Sequence, residues 1–152
     1  MKKQKNIGNK GFSLVELIIV IAILAILIGV MAPNLLKYVE KTRVSADTQV
    51  ADSVRTAIMT AMLDPSVDDG STPSTMTTAA AITTIDTTTD FGKLVVEILG
   101  DEPANIQKKL KSKAYMDQAI NYQVTGSSEV KITITTKDAN VAPNLEIPAP
   151  TT

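Results

Sequence analysis

Hydrophobic residues form one long unbroken stretch near the start of the chain, from Leu17 to Ala32. A single carboxylate, Glu16, stands at its amino-terminal end, and a short lysine-rich segment precedes both. As a helix rising 1.5 Å per residue, residues 12–36 would extend about 37 Å. The hydrocarbon core of a bilayer is about 30 Å thick. The pattern therefore predicts a membrane-spanning helix over residues 12–36.

Beyond Pro33 the apolar residues recur at helical spacing, which predicts that the helix continues in amphipathic form. The apolar stripe consists of Leu36, Val39, Ala46, Val50, Val54, Ala57, Ile58 and Ala61. The polar residues placed off this stripe are Lys37, Lys41, Asp47, Asp52 and Arg55. We expect the helix to end at about Leu63, where Pro65 and a cluster of turn-forming residues follow.

Two runs near the carboxyl end alternate between apolar and polar residues, as strands do. They extend from Ala119 to Thr125 and from Glu129 to Thr135, with a Gly-Ser-Ser turn between them. We expect an antiparallel hairpin. The segment Leu145 to Ile147 is interpreted either as an edge strand or as part of a loose end.

Two short helices are predicted between the long helix and the hairpin. The first has Asp90 as its N-cap, an apolar face that includes Phe91 and Val95, and Gly100 at its end. The second begins at Pro103, with Ile106, Leu110 and Ala114 facing inward and Lys108, Lys109, Lys111 and Lys113 facing outward. We expect these lysines to form a solvated face or a contact with another subunit. Contact with DNA phosphates, near Tyr115, is the less favoured alternative.

These elements predict an α+β fold, in which a long amino-terminal helix packs on a small head with short helices and an antiparallel hairpin or sheet. The expected domains are a basic segment over residues 1–11, a hydrophobic transmembrane helix over 12–36, an amphipathic helix half over 37–63 and a globular head over 64–152. The threonine-rich segment 71–90 is interpreted as mostly loop or edge structure at the surface, with O-glycosylation as the less favoured alternative.

Composition argues against an enzyme, because the chain has no cysteine and no histidine. Histidine is the commonest general base and metal ligand, so we expect no catalytic residue, metal or cofactor. Asp64, Ser66, Asp68 and Gly70 resemble a calcium loop only loosely, since Gly70 is one position late and Thr75 replaces the closing glutamate. The net charge is −1, or −5 without the four lysines of residues 1–11, which gives no indication of nucleic-acid binding overall.

The segment Lys10-Gly11-Phe12-Ser13-Leu14-Val15-Glu16, with the apolar run behind it and Pro33, resembles the processing signal of type IV prepilins and pseudopilins. The resemblance covers about residues 1–40. It implies that residues 1–11 are a leader that is cleaved between Gly11 and Phe12 on the cytoplasmic side, that Phe12 is N-methylated, and that the chain assembles into a filament with residues 12–36 in its core. The alternative is the signal anchor of an unrelated single-pass protein.

Glu16 is the predicted assembly residue. An ionisable group near a membrane-spanning helix needs compensation, and cleavage would create a cationic amine at Phe12. We expect Glu16 to pair with the Phe12 amine of a neighbouring subunit; the local alternative is that it complements the positive end of its own helix. Gly29 and Pro33 are predicted to weaken the helix in an assembled fibre.

The preferred function is a structural subunit of a type IV pilus, with a homo-oligomeric helical filament as its working form. Expected partners are the prepilin peptidase and methyltransferase, the membrane assembly machinery and, before assembly, the cytoplasmic membrane; nucleic acid is a less favoured partner. The expected location is the cytoplasmic membrane first and an extracellular or envelope-spanning filament afterwards. The alternatives are a pseudopilin of a type II secretion or competence apparatus, and a membrane-tethered binding head that does not polymerise.

Overall fold

The computed structural model describes residues 11–67, 70–126 and 129–148. Helix α1 extends from Leu14 to Leu63 and contains Pro33. It confirms the predicted long helix and its end at Leu63. The contacts along the chain divide it into two units, with the boundary between Tyr38 and Val39, and each unit is described separately below. The domain limits predicted from the sequence, with their boundary at residue 36, stay a prediction.

In the first unit, every residue of α1 up to Tyr38 is exposed in the isolated chain. Within the described residues, α1 is the single helix long and apolar enough to cross a bilayer, and none of its apolar window is buried. An exposed apolar surface of this extent marks contact with lipid or with other protein chains.

The second unit is an α+β head that includes the carboxyl-terminal half of α1. Its other elements are β1 (Ala80–Ala81), a 3₁₀ turn (Ile82–Thr84), α2 (Asp90–Leu99), α3 (Pro103–Gln107), β2 (Ile120–Thr125), β3 (Glu129–Ile134) and β4 (Leu145–Ile147). The strands form one antiparallel sheet in the order β1-β2-β3-β4. The predicted hairpin is β2 and β3, paired from Ile120 with Ile134 to Thr125 with Glu129. The edge strand interpretation of Leu145–Ile147 is also confirmed.

The core of the head lies between one face of α1 and one face of the sheet. Buried residues of α1 are Ala51, Val54, Ala57, Ile58 and Ala61, and the strands contribute Ile120, Tyr122, Val124, Val130, Ile132 and Ile134. The alternation in β2 and β3 places every second side chain inward, because successive residues of a strand point to opposite faces. This is the arrangement that the two sequence periods predict.

The predicted stripe on α1 is wrong at several positions: Leu36 and Val39 are exposed, and two further residues have the opposite of the predicted environment. Ala46 is exposed and Asp47, which was assigned to the polar side, is buried. The carboxylate of Asp47 accepts hydrogen bonds from the backbone amides of Lys111 and Ser112, at 2.8 and 2.9 Å. A buried polar group is tolerated when it is hydrogen-bonded, so these two bonds account for the difference.

The ends of the short helices also differ from the prediction. Thr89, and not Asp90, is the N-cap of α2: its hydroxyl accepts a bond from the Gly92 amide. Gly100 ends α2 in the left-handed conformation, as predicted. Helix α3 begins at Pro103 but ends at Gln107, so the predicted continuation is wrong, although the residues expected inward are buried: Ile106, Leu110 and Ala114. Tyr115 is buried as well, which removes its ring from any surface.

Candidate functional site

The start of α1 is organised by two short-range side-chain hydrogen bonds. The backbone amide of Ser13 donates to Glu16 Oε2 at 2.8 Å, and the Val15 amide donates to Ser13 Oγ at 3.3 Å. The Leu17 amide donates to the Ser13 carbonyl at 3.2 Å, which is the first helical bond. Ser13 is therefore the N-cap residue, and Glu16 occupies the position of the acidic partner in a capping box.

Gly11 and Phe12 precede this cap and are exposed. The ring of Phe12 is 94% exposed, and a side-chain carbon built on Gly11 would meet nothing within 4 Å. Phe12 lines an open cleft of about 420 Å³ together with Glu16, Leu17 and Val20. The structure thus brings the predicted processing residues and the predicted assembly residue into one accessible segment.

The placement of Glu16 bears on its two sequence interpretations. Its bond to the Ser13 amide satisfies one of the free N–H groups at the helix start, which matches the local interpretation. Only Oε2 takes part in that bond, and a carboxylate has two oxygens with about four acceptor positions. Pairing of Glu16 with the Phe12 amine of a neighbouring subunit stays a prediction, and it is compatible with this cap.

Gly29 and Pro33 lie within α1, which shows no interruption at either residue. No atom lies within 4 Å of a side-chain carbon built on Gly29, so packing within the chain does not require a glycine there. The predicted loss of helix concerns the assembled fibre and stays a prediction.

A second polar arrangement, which the sequence interpretation missed, joins α1 to the loop after α3. Asp47 holds the amides of Lys111 and Ser112, and Glu40 accepts a hydrogen bond from the Lys113 amide. Glu40 and Asp47 are seven positions apart, which places both carboxylates on one face of a helix. This seven-residue spacing of two carboxylates was the sequence signal that could have predicted the arrangement. The three amides are fixed, while the lysine side chains of this loop are exposed.

The calcium-loop pattern has little support in the described part of the chain. Asp68 lies outside the described residues. Asp64 accepts a bond from the Ser66 amide at 2.8 Å, and its hydrogen bonds with Ser66 lower the pKa of its carboxyl. Among the described residues, no group of three or more acidic, histidine or cysteine side chains could hold a metal ion.

Comparison with known proteins places the similarity at the amino-terminal end. The family model of the prokaryotic N-terminal methylation motif matches residues 7–32. The chain is 41% identical over 56 residues to a type IV major fimbrial protein FimA of Dichelobacter nodosus, which covers 37% of this chain and 36% of that protein. It is 43% identical over 53 residues to a fimbrial protein of Moraxella nonliquefaciens, covering 35% and 34%. No solved structure matches.

The chain thus matches only about a third of the length of these fimbrial relatives. The matched family model contains the residues that were singled out for processing and assembly: Gly11, Phe12 and Glu16. The resemblance to type IV prepilins is confirmed over this segment, in which the chain carries the prokaryotic N-terminal methylation motif and is similar to type IV fimbrial proteins.

Proposed function

We propose that this chain is a structural subunit of a type IV pilus, which acts by polymerising through its amino-terminal helix and not by catalysis. The observation that supports the proposal is that the amino-terminal half of α1 is apolar and exposed. At its start the carboxylate of Glu16 caps the helix and lies close in sequence to Phe12, the predicted amino terminus of the mature chain. The methylation motif and the similarity to fimbrial proteins support it.

In this proposal, the subunit first resides in the cytoplasmic membrane by its apolar helix. A prepilin peptidase cuts between Gly11 and Phe12, and a methyltransferase modifies Phe12. The assembly machinery then transfers the helix from lipid into the filament core, where neighbouring helices cover the apolar surface. Adhesion, motility, aggregation and DNA uptake are the roles such a filament would serve.

Charge pairing would set the stagger between subunits. The amine created at Phe12 is largely cationic near neutral pH, since its reference pKa is about 7.7–8.0. In an apolar core, a carboxylate or an ammonium without a partner is strongly unfavourable, and breaking a buried pair costs about 3–5 kcal/mol. The stagger that brings Glu16 to the neighbouring Phe12 amine would therefore be preferred over others.

The test is a strain in which Glu16→Ala is the sole copy of the subunit, with Glu16→Gln beside it. We expect both variants to enter the membrane and to be cut so that the mature chain begins at Phe12, as mass spectrometry would show, while the yield of filaments falls by at least about tenfold. Asp52→Ala is the matched control, since Asp52 is an exposed carboxylate further along α1. Normal filament yield and subunit rise in Glu16→Ala would refute charge pairing.

The pseudopilin alternative predicts the same processing and a different product. Electron microscopy with an antibody to the head would show long surface fibres for a pilus, short envelope filaments for a pseudopilin, and dispersed protein for a tethered binding head.

A further inference from the structure

Ser13, the N-cap of α1, lies just beyond Gly11 and Phe12, between which the chain is predicted to be cut. These three residues are not helical, and α1 begins directly after them. We propose that the cap formed by Ser13 and Glu16 makes Ser13 a positioning residue for this cleavage, because the cap stops the helix before the scissile bond and keeps that bond available to the prepilin peptidase. The inference rests on the processing step of the proposed function.

The serine hydroxyl occupies an amide that a longer helix would need. In an α-helix each backbone amide donates to the carbonyl four residues earlier. A helix extended back by one turn would therefore require the Val15 amide to donate to the Gly11 carbonyl, which is the carbonyl of the scissile bond. In the structure the Val15 amide donates to Ser13 Oγ at 3.3 Å. The cap thus competes directly with the helical bond that would engage the scissile carbonyl.

The Glu16 carboxylate acts in the same direction on the amide of Ser13. This amide donates to Glu16 Oε2 at 2.8 Å, whereas in a longer helix it would donate to the carbonyl of Asn9. The first helical bond joins the Leu17 amide to the Ser13 carbonyl at 3.2 Å. A serine followed three residues later by a glutamate is the sequence pattern of a capping box, so side chains of the predicted mature chain determine where α1 begins.

The sequence offers a competing helix start upstream of the predicted cut. Asn9 lies outside the described residues, and asparagine is among the best N-cap residue types. A helix capped by Asn9 would begin at Lys10 and would contain both Gly11 and Phe12. Loss of the Ser13 hydroxyl would shift the balance toward that longer helix, because alanine is a poor N-cap residue.

The Gly11 carbonyl must be accessible because hydrolysis takes place on it. The hydroxyl of a water molecule adds to the Gly11 carbonyl carbon, the bond to the Phe12 nitrogen breaks, and that nitrogen takes the remaining proton. The products are a carboxyl group on Gly11 and an amine on Phe12. Negative charge develops on the carbonyl oxygen during this step and has to be stabilised by donors of the enzyme. An oxygen already bonded within a helix is less available to those donors.

The test uses the full-length precursor in detergent micelles with a purified prepilin peptidase, and it measures kcat and KM for the cut. If the non-helical form alone is a substrate, a smaller fraction of that form raises KM in proportion and leaves kcat unchanged. We expect Ser13→Ala to raise KM about twofold to fivefold, the upper value corresponding to about 1 kcal/mol, which is typical of an N-cap. Ser13→Thr and Ser13→Asn, whose side chains can cap, should keep KM close to that of the unchanged chain. Ser53→Ala is the matched control, because the Ser53 hydroxyl donates to the Gln49 carbonyl further along α1.

Carbon-13 chemical shifts of the Gly11 carbonyl and the Phe12 Cα report the helix start without any enzyme. We expect both shifts to move toward helical values in Ser13→Ala and to stay unchanged in Ser13→Asn. Glu16→Gln should also leave the shifts and KM unchanged, because glutamine can fill the same place in a capping box. In cells, where processing has time to finish, both Glu16 variants would still be cut at the same bond.

An unchanged KM in Ser13→Ala, or a fall in kcat alone, would overturn the proposal. So would a KM for Ser13→Asn as high as that of Ser13→Ala, because the enzyme would then recognise the hydroxyl itself. Carbon shifts that stay the same in Ser13→Ala would overturn it as well. A precursor with the unchanged sequence that the peptidase leaves intact, or cuts at another bond, would instead contradict the proposed processing, and the carbon shifts would still decide whether the cap determines the helix start.

Discussion

At the scale of single residues, Glu16 caps the start of its own helix in the isolated chain. Its Oε2 accepts a hydrogen bond from the Ser13 amide, a bond that the predicted cleavage before Phe12 would leave in place because Ser13 would keep its N–H group. The carboxylate is therefore already oriented in the isolated subunit. A group held in place by a cap loses less side-chain freedom when a partner arrives, so this cap would favour the predicted pairing if the pairing occurs.

Gly92 is a residue whose importance the sequence does not reveal. A side-chain carbon at this position would lie 2.0 Å from the carbonyl oxygen of Asp86. We expect Gly92→Ala to lower the free energy of unfolding of the head by about 1–3 kcal/mol, because the backbone of one of the two segments must move. Chemical denaturation of the full chain in detergent micelles, followed by circular dichroism, measures this. Glu97→Ala, an exposed change on the same helix, should stay within about 0.5 kcal/mol; equal stability of the two variants would show that the contact relaxes freely.

At the scale of elements, the contact between α1 and the loop after α3 depends on Asp47. We expect Asp47→Ala to destabilise the head by about 1–3 kcal/mol for each of the two amides that lose their acceptor. Asp47→Asn should cost less, since its side-chain oxygen can still accept one bond. Thermal unfolding of the full chain provides the measurement, with Asp52→Ala as the control on the same helix. A cost for Asp47→Ala no larger than that of the control would mean that water replaces the lost acceptor.

The amino-terminal half of α1 is predicted to change on assembly. Pro33 has no N–H to donate to the Gly29 carbonyl, and Gly29 is itself an unfavourable helix residue by about 1 kcal/mol. We expect a fibre map to show local loss of regular helix between these two residues. A map with unbroken helical bonding from Leu24 to Leu36, except for the bond that proline cannot make, would contradict this.

The elements that the sequence predicts well are those whose apolar period is regular. The long helix, the β2–β3 hairpin and the end of α2 at Gly100 follow directly from spacing and glycine. The burial of Asp47 does not, because its partners are backbone amides more than sixty positions away. The same bonds explain the early end of α3: the amides of Lys111 and Ser112 are used by a side chain and not by a helix. Threonine and aspartate both favour the N-cap position. The sequence alone therefore does not decide between Thr89 and Asp90 as the cap of α2.

At the scale of the whole molecule, the head should lose stability in alkaline solution. Burial raises the pKa of Tyr115, with a further contribution from the charge of Asp47, and burial also raises the pKa of Tyr122. Since each folded pKa lies above the unfolded value of about 10, the stabilisation is fully present below that pH and is lost as the pH rises through the raised values. The Tyr115 hydroxyl also donates to the Pro143 carbonyl at 2.6 Å, a bond that deprotonation removes.

The measurement is the urea midpoint of the full chain in micelles as a function of pH. We expect a midpoint that changes little from neutral pH to about pH 9 and then falls. Tyr115→Phe should be less stable near neutral pH and should show a shallower alkaline fall, with Tyr122→Phe giving a smaller change in both. The difference in alkaline slope between each variant and the unchanged protein is the decisive quantity. An identical alkaline slope in Tyr115→Phe and the unchanged protein would exclude this residue as a cause.

The sheet of the head has a further consequence if the chain polymerises as proposed. Its outer strands are β1, with two residues, and β4, with three, and Pro148 directly follows β4. Unpaired strand edges are templates on which other chains add strands, and short edges with a proline nearby offer few free N–H and C=O groups. Heads crowded along a fibre or across a membrane surface would thus have little opportunity to join by strand addition. In the proposed filament, contact between heads would then be left to side chains.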